Sequence, residues 1–214
     1  AREPTRNLGY RRASTISSGQ DSHRPTVLRK MPTPLPRSFY DRDTEEVARD
    51  LLGCLLVREG ESGLYVARIV ETEAYVGPHD RACHASKGIT PRTQVLYGPP
   101  GHAYVYFVYG MHYLLNAVTD REGHGAAVLI RGIEPLSGFP PDARTNGPAR
   151  LTKTLSIDKE LNRWDLTLGE RLWIAPGPRA KRVERGPRIG VDYAGAWAKE
   201  PLRFWEAGNR WVSR

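Results

Sequence analysis

The chain has 214 residues, 39% of them hydrophobic, with 21 glycines and 17 prolines, which suits one sizeable core built from short elements and many turns. Its net charge of +8 favours a polyanionic partner, but eight Lys/Arg against Glu3 and Asp21 give residues 1–37 a net +6 and leave +2 for the rest. The two cysteines, Cys54 and Cys83, show no zinc-ligand or CxxC spacing, and the longest apolar stretch, Ala103 to Val118, is interrupted by Tyr104, Tyr106, Tyr109, His112 and Asn116. A disulfide scaffold, a zinc module and a membrane span are excluded as readings.

Residues 1–30, rich in Arg and Ser, are expected to form a disordered basic tail. They read either as a targeting or DNA-tethering leader or as sequence preceding a natural start at Met31. Arg outnumbers Lys 26 to 6, which suggests a GC-rich coding sequence and a bacterial source; the two cysteines suit an intracellular compartment, expected to be the cytoplasm with nucleoid association in a bacterium and the nucleus in a eukaryote. Residues 31–214 are expected to form a single catalytic domain. Within it, Asp43 is a predicted N-cap, with Glu46 three residues on, for a helix to about Leu52. Leu52–Arg58 and Leu64–Thr72 are predicted strands joined by the turn Glu59–Gly63, and residues 79–101 are mostly loop. The aromatic and β-branched run 102–120 predicts two strands bent at Gly110, and Ala126–Ile133 a further one. Asn146-Gly147-Pro148 opens a helix to about Leu155. Shorter strands are expected at Arg171–Ile174, Pro187–Val191 and Leu202–Trp205. Many strands with few helices, and no βαβ rhythm, argue for an α+β or mainly β domain with a curved antiparallel sheet.

The chemistry-bearing stretch is Val70-Glu71-Thr72-Glu73-Ala74-Tyr75. Strand alternation puts Glu71, Glu73 and Tyr75 on one face. That face reads either as a solvated polar surface or, with His84 and a second tyrosine group at Tyr104, Tyr106 and Tyr109, as a reactive one. Tyr104 and Tyr106 also fit a plain cross-strand aromatic stripe.

Taken in order, the stretches ETEAYVGPHDRACH (71–84), TPR (90–92), YVYFVYGMHYLLN (104–116), LIRGIEPL (129–136), NGPARLTKTLSI (146–157) and RIGVDYAGAWAKEPLRFW (188–205) resemble the alkyladenine (3-methyladenine) DNA glycosylase family over roughly residues 38–213. The resemblance implies an α+β domain with a curved, open-barrel-like antiparallel sheet, similar to the C-terminal domain of formyltransferases, and a few short helices. It implies a monomeric hydrolase of base excision repair, of the DNA-3-methyladenine glycosylase II type. Such an enzyme acts on double-stranded DNA containing damaged purines: 3-methyladenine, 7-methylguanine, hypoxanthine or ethenoadenine. It must turn the nucleotide out of the stack to reach its C1′. By resemblance Tyr109 is the wedge that fills the gap, with Gly110 and Met111 beside it at the DNA. Tyr75 and Tyr106 sandwich the base, with His84 at its edge and Asn116 crowding the purine 2-position. Glu73 is the general base for water, which Arg131 and the Ile189 main-chain carbonyl help to hold. Thr90, Arg92 and the run Arg179–Arg188 are candidate phosphate contacts, the run fitting a solvated surface equally well. Glu71 is read as structural.

A glycosylase that also cleaves the strand needs an amine nucleophile. None of Lys87, Lys153, Lys159, Lys181 and Lys199 lies beside Glu73 in the matching stretches, so a monofunctional enzyme with no cofactor and no metal is expected. Two other readings remain open: a non-catalytic module stacking unpaired bases on its tyrosines, and a hydrolase or transferase of small nucleosides or tRNA. Glu73 beside facing tyrosines favours a glycosylase over the first, and a wedge at Tyr109 favours duplex DNA over the second.

Overall fold

The structure, a computed structural model, describes residues 31–60, 63–108 and 110–213. The expected tail, residues 1–30, and Tyr109 lie outside the described residues, and the fold is that of the unit Pro32–Arg214.

The chain enters through one helical turn, α1 (Arg37–Tyr40), and a second helix, α2 (Thr44–Asp50). Asp43 caps α2 as expected, its carboxylate accepting from the Glu45 and Glu46 amides at 3.0 and 3.1 Å. Eight strands come next: β1 (Leu55–Gly60), β2 (Gly63–Tyr75), β3 (Ala103–Val108), β4 (His112–Thr119), β5 (Ala126–Ser137), β6 (Leu172–Ala175), β7 (Val183–Gly186) and β8 (Arg203–Glu206), with helix α3 (Pro148–Thr154) between β5 and β6. They form one sheet ordered β3-β4-β5-β2-β1-β6, and every pairing is antiparallel. The thirteen-residue β2 is its spine. One edge pairs with β5; the other pairs first with β1 and then, at Glu71–Glu73, with β8, which carries β7. Register shifts around Ile69–Thr72 add the local bend that curls the sheet into a half-barrel. The result is the expected α+β domain with a curved antiparallel sheet.

Strand alternation sorts the two faces of this sheet. Leu115, Ala117, Val128, Ile130 and Ala74 join Val47 and Ala48 of α2, Leu51 just after it and Leu151 of α3 in the main core. The intervening residues Tyr104, Tyr106, Asn116, Leu129, Arg131 and Tyr75 face the other way and line a cavity. Two single-turn 3-10 segments, His84–Lys87 and Gln94–Tyr97, and the loop 187–191 close over that second face, packing Cys83, Ala85, Val95 and Leu96 against Tyr104 and Val118. Helices thus stabilise one face, and the other is left to hold a ligand.

Most predicted elements are present within a few residues. The hairpin turn between β3 and β4 carries Gly110 at φ +67°, a left-handed conformation that glycine adopts without strain. Pro187–Val191 is not a strand. Arg188 turns inward and Gly190 takes φ +76°, so the strand of this region is β7, four residues earlier, paired with β8. Residues 192–199, left without a predicted element, form 3-10 turns interrupted at Gly195.

Candidate active site

The β-strand alternation and the two covering segments enclose a cavity of about 330 Å³, a size that fits a nucleobase-sized ligand. Tyr75, His84, Tyr106, Asn116, Arg131 and Ile189, six of the residues named from sequence, line it together. Glu73 lies behind the lining residues Tyr75, Arg131 and Ile189, with no exposed surface, which excludes the solvated-face reading of the Glu71/Glu73 strand. Two hydrogen bonds and an ion pair hold this carboxylate. The Ile189 amide donates to Oε1 at 2.7 Å, the Tyr75 hydroxyl to Oε2 at 2.9 Å, and Arg131 Nη1 stands 3.2 Å from Oε1. Burial pushes the Glu73 pKa up, and Arg131, the Ile189 amide and Tyr75 oppose that push. The group is left a stronger base than an exposed carboxylate, while its orientation is fixed.

The aromatic wall comes from two strands and the first 3-10 turn. Tyr104 and Tyr106, on one face of β3, have ring centroids 5.0 Å apart, and His84 meets Tyr106 edge-on at 4.6 Å. His84 Nδ1 and the Tyr104 hydroxyl are 2.9 Å apart, fixing the imidazole. Burial, reinforced by Arg92 and Lys87, pulls its pKa down to about 4, so the ring is neutral at pH 7. Arg92 lies over the outer face of Tyr106, 5.1 Å from the ring centroid. Asn116 donates from Nδ2 to the Tyr104 carbonyl at 3.1 Å while lining the cavity, so it is both a bonded core amide and a wall of the pocket.

Beyond the cavity the expected residues separate. Gly110 and Met111 sit at the exposed β3–β4 turn, Met111 with 68% of its surface accessible. Thr90 is occupied by Thr93, amide to hydroxyl at 2.8 Å and hydroxyl to hydroxyl at 2.9 Å, and braces its loop.

Arg188 corrects the reading of the 179–188 arginine run as a phosphate-contacting or solvated surface. Its side chain is fully buried and pairs with the equally buried Asp80, Nη2 to Oδ1 at 2.9 Å and Nη1 to Oδ2 at 2.5 Å. It also donates to the carbonyls of Ala74 (2.8 Å) and Trp197 (3.2 Å) and lies 4.7 Å from the Tyr75 ring centroid. Arg188 therefore clamps the loop that delivers the Ile189 amide to Glu73. Sequence alone offered no sign of this, because Arg188 looks like its exposed neighbours Arg182 and Arg185. Glu71, read as structural, is also fully buried and shares Arg131 with Glu73, at 3.2 Å from Nε. Asp80, Tyr193 and Ser213 were likewise not singled out; Tyr193 lines the cavity mouth, its hydroxyl 3.3 Å from the Ala82 carbonyl. No group of three or more His, Cys, Asp or Glu able to hold a metal occurs among the described residues, and no helix there is long and apolar enough to cross a membrane.

A buried, oriented carboxylate behind an aromatic-walled cavity in a curled antiparallel sheet is an arrangement suited to an enzyme site. Residues 38–210 match the family described as methylpurine-DNA glycosylase (MPG). The chain belongs to that family and is a hydrolytic DNA glycosylase of DNA repair. Over 182 residues it is 55% identical to a protein of Myxococcus xanthus (84% of this chain, 93% of that one) provisionally named 3-methyladenine DNA glycosylase. Proteins with the same provisional name from Methanocella arvoryzae (191 residues; 84% and 96%) and Legionella pneumophila (182 residues; 84% and 98%) are each 50% identical to it.

Proposed function

We propose that this chain is a monomeric, monofunctional glycosylase that turns a damaged purine out of duplex DNA into the cavity and hydrolyses its N-glycosidic bond, leaving an abasic site. Its substrates are 3-methyladenine, 7-methylguanine, hypoxanthine and ethenoadenine. The observation that carries this reading is the setting of Glu73: fully buried, held by two hydrogen bonds and an ion pair, under an aromatic-walled cavity. An ionised carboxylate offers about four lone-pair sites. With two accepting from the Ile189 amide and the Tyr75 hydroxyl, and Arg131 ion-paired at Oε1, lone pairs remain to accept from a water molecule. That water attacks C1′ as the bond to the base breaks and its electron pair leaves with the base. Glu73 takes the water's proton, and its charge stabilises the oxocarbenium-like transition state.

Tyr75 and Tyr106 stack the base, worth about 1–3 kcal/mol for each contact, and a cationic alkylated purine gains a further cation–π attraction. Neutral His84 reads the base edge, and Asn116 crowds the position of guanine's 2-amino group. Tyr109 is the wedge, with Gly110 and Met111 beside it on the exposed turn, and Arg92 and Thr90 border the DNA path. The Ile189 main-chain carbonyl helps hold the water. Among the described residues, the cavity lining holds no lysine, which supports water rather than an amine as nucleophile.

Duplex oligonucleotides bearing each lesion in turn, scored for abasic sites, test the reading. Abasic sites should accumulate at the lesion strand only, and borohydride should trap no protein–DNA adduct. A trapped adduct would replace water with an amine nucleophile, and no release from any of the four lesions would overturn the assignment.

A further inference from the structure

Behind Glu73 lies a second layer of charge that the excision chemistry described above does not use. Glu71 accepts from Arg203 Nε at 2.7 Å and Arg131 Nε at 3.2 Å. It also accepts from the amide and hydroxyl of Ser213 at 2.6 and 2.8 Å. Ser213 Oγ in turn receives Arg131 Nη2 at 3.3 Å, and the Ser213 carbonyl receives Arg203 Nη2 at 3.3 Å. The segment 211–213 is pressed onto β5 to make these bonds. A Cβ on Gly132 would stand 2.7 Å from the Trp211 carbonyl and 3.1 Å from Glu71 Oε2, so a side chain there would push the segment away. Two carboxylates and two arginines thus share one buried cluster, with Arg131 as the only cation among the described residues touching both acids.

We propose that Arg203, with Ser213, is a positioning residue of the excision site: by neutralising Glu71 it leaves Arg131 available to hold Glu73 as an ionised base. The inference rests on the reading of Glu73 as the base. Without Arg203, a single guanidinium would serve two buried carboxylates, and the excess negative charge would favour protonated Glu73. The other groups facing Glu73 do not change this sign. They are Tyr75 and Glu71 on β2, Tyr106 on β3, Arg131 on β5, and Arg188 with the Ile189 amide on the loop 187–191. Of these only Arg131 and Arg188 are cations, and Arg188 is committed to Asp80.

The test is the pH profile of single-turnover excision from a hypoxanthine-containing duplex, for the native chain and for Arg203→Gln, Arg203→Lys, Ser213→Ala and Glu73→Gln. An active base must be deprotonated, so loss of Arg203 should move the acid limb upward by about one pH unit, a tenfold lower rate at a pH on that limb. Arg203→Lys should restore most of the shift, and Ser213→Ala should move the limb the same way by less. A purely structural role lowers the plateau and leaves the limb in place, and that outcome in Arg203→Gln overturns the proposal. If Arg203→Gln does not fold, an unmoved limb in Ser213→Ala overturns it instead. Native-like excision by Glu73→Gln is a different failure, since it removes the base itself.

Discussion

Replacing Asp80 with asparagine should destabilise the fold and disable the site together, because one ion pair serves both. Asp80 and Arg188 have fully buried side chains, and Arg188 Nε has no hydrogen-bond partner among the described residues, so its charge depends on the Asp80 carboxylate. Leaving a buried arginine without its counter-charge costs about 3–5 kcal/mol. At about 2–4 °C per kcal/mol for a domain of this size, Tm should fall by about 6–20 °C. The clamped loop also delivers the Ile189 amide to Glu73, a hydrogen bond to a charged group worth about 1.5–3 kcal/mol. Single-turnover excision, measured well below the lowered Tm, should therefore drop by at least about tenfold. The double variant Asp80→Leu/Arg188→Met removes both charges and should recover part of the lost stability. It should not recover excision, because the guanidinium also holds the Ala74 and Trp197 carbonyls and backs Tyr75. Asp80→Asn with Tm within about 2 °C of native and undiminished excision would refute the clamp.

The site and the charge distribution lead to three further outcomes. The His84 pKa, lowered to about 4, lies below its ordinary value, so the fold favours neutral imidazole; stability is complete above about pH 6.5 and declines as pH falls toward 4, by at most about 3 kcal/mol. His84→Asn should flatten that part of the decline in urea-unfolding midpoints, and an unchanged pH dependence would contradict the assignment. Asn116→Ser should relax discrimination between guanine-derived and hypoxanthine bases, since it opens the wall next to Tyr104; an unchanged ratio of the two excision rates would leave Asn116 as scaffold only. Deleting residues 1–30, which carry seven Lys/Arg and two acids, should leave single-turnover excision intact and flatten the salt dependence of DNA binding by about 0.9 in log–log slope for each phosphate no longer neutralised. Loss of lesion selectivity in the truncated chain would contradict a purely electrostatic role for those residues.

Much of this site is legible in sequence because it lies on strands. Period-two alternation alone puts Glu71, Glu73 and Tyr75 together and pairs Tyr104 with Tyr106, and Asp43 announces its helix by local capping chemistry. The family resemblance supplies roles for residues that alternation cannot rank, such as Asn116 and Ile189. What stays hidden depends on partners far along the chain. β7 is strand because β8, some twenty residues later, pairs with it, whereas Pro187–Val191 has the more strand-like composition and no such partner. Arg188 is indistinguishable from surface arginines until Asp80, 108 residues earlier, is brought beside it. The Glu71 cluster needs Arg131, Arg203 and Ser213 from three separate segments, so a merely structural Glu71 is the most its own strand allows. The two 3-10 turns within 79–101 are too short for any periodic signal.

Whether Glu73 activates water is tested most directly by Glu73→Gln. Glutamine keeps the shape and loses the base, so affinity for a hypoxanthine-containing duplex should stay within a few-fold of native. Single-turnover excision at neutral pH should fall by at least about two orders of magnitude, the range general base catalysis supplies. Excision within a few-fold of the native rate, with lesion binding intact, would contradict the account.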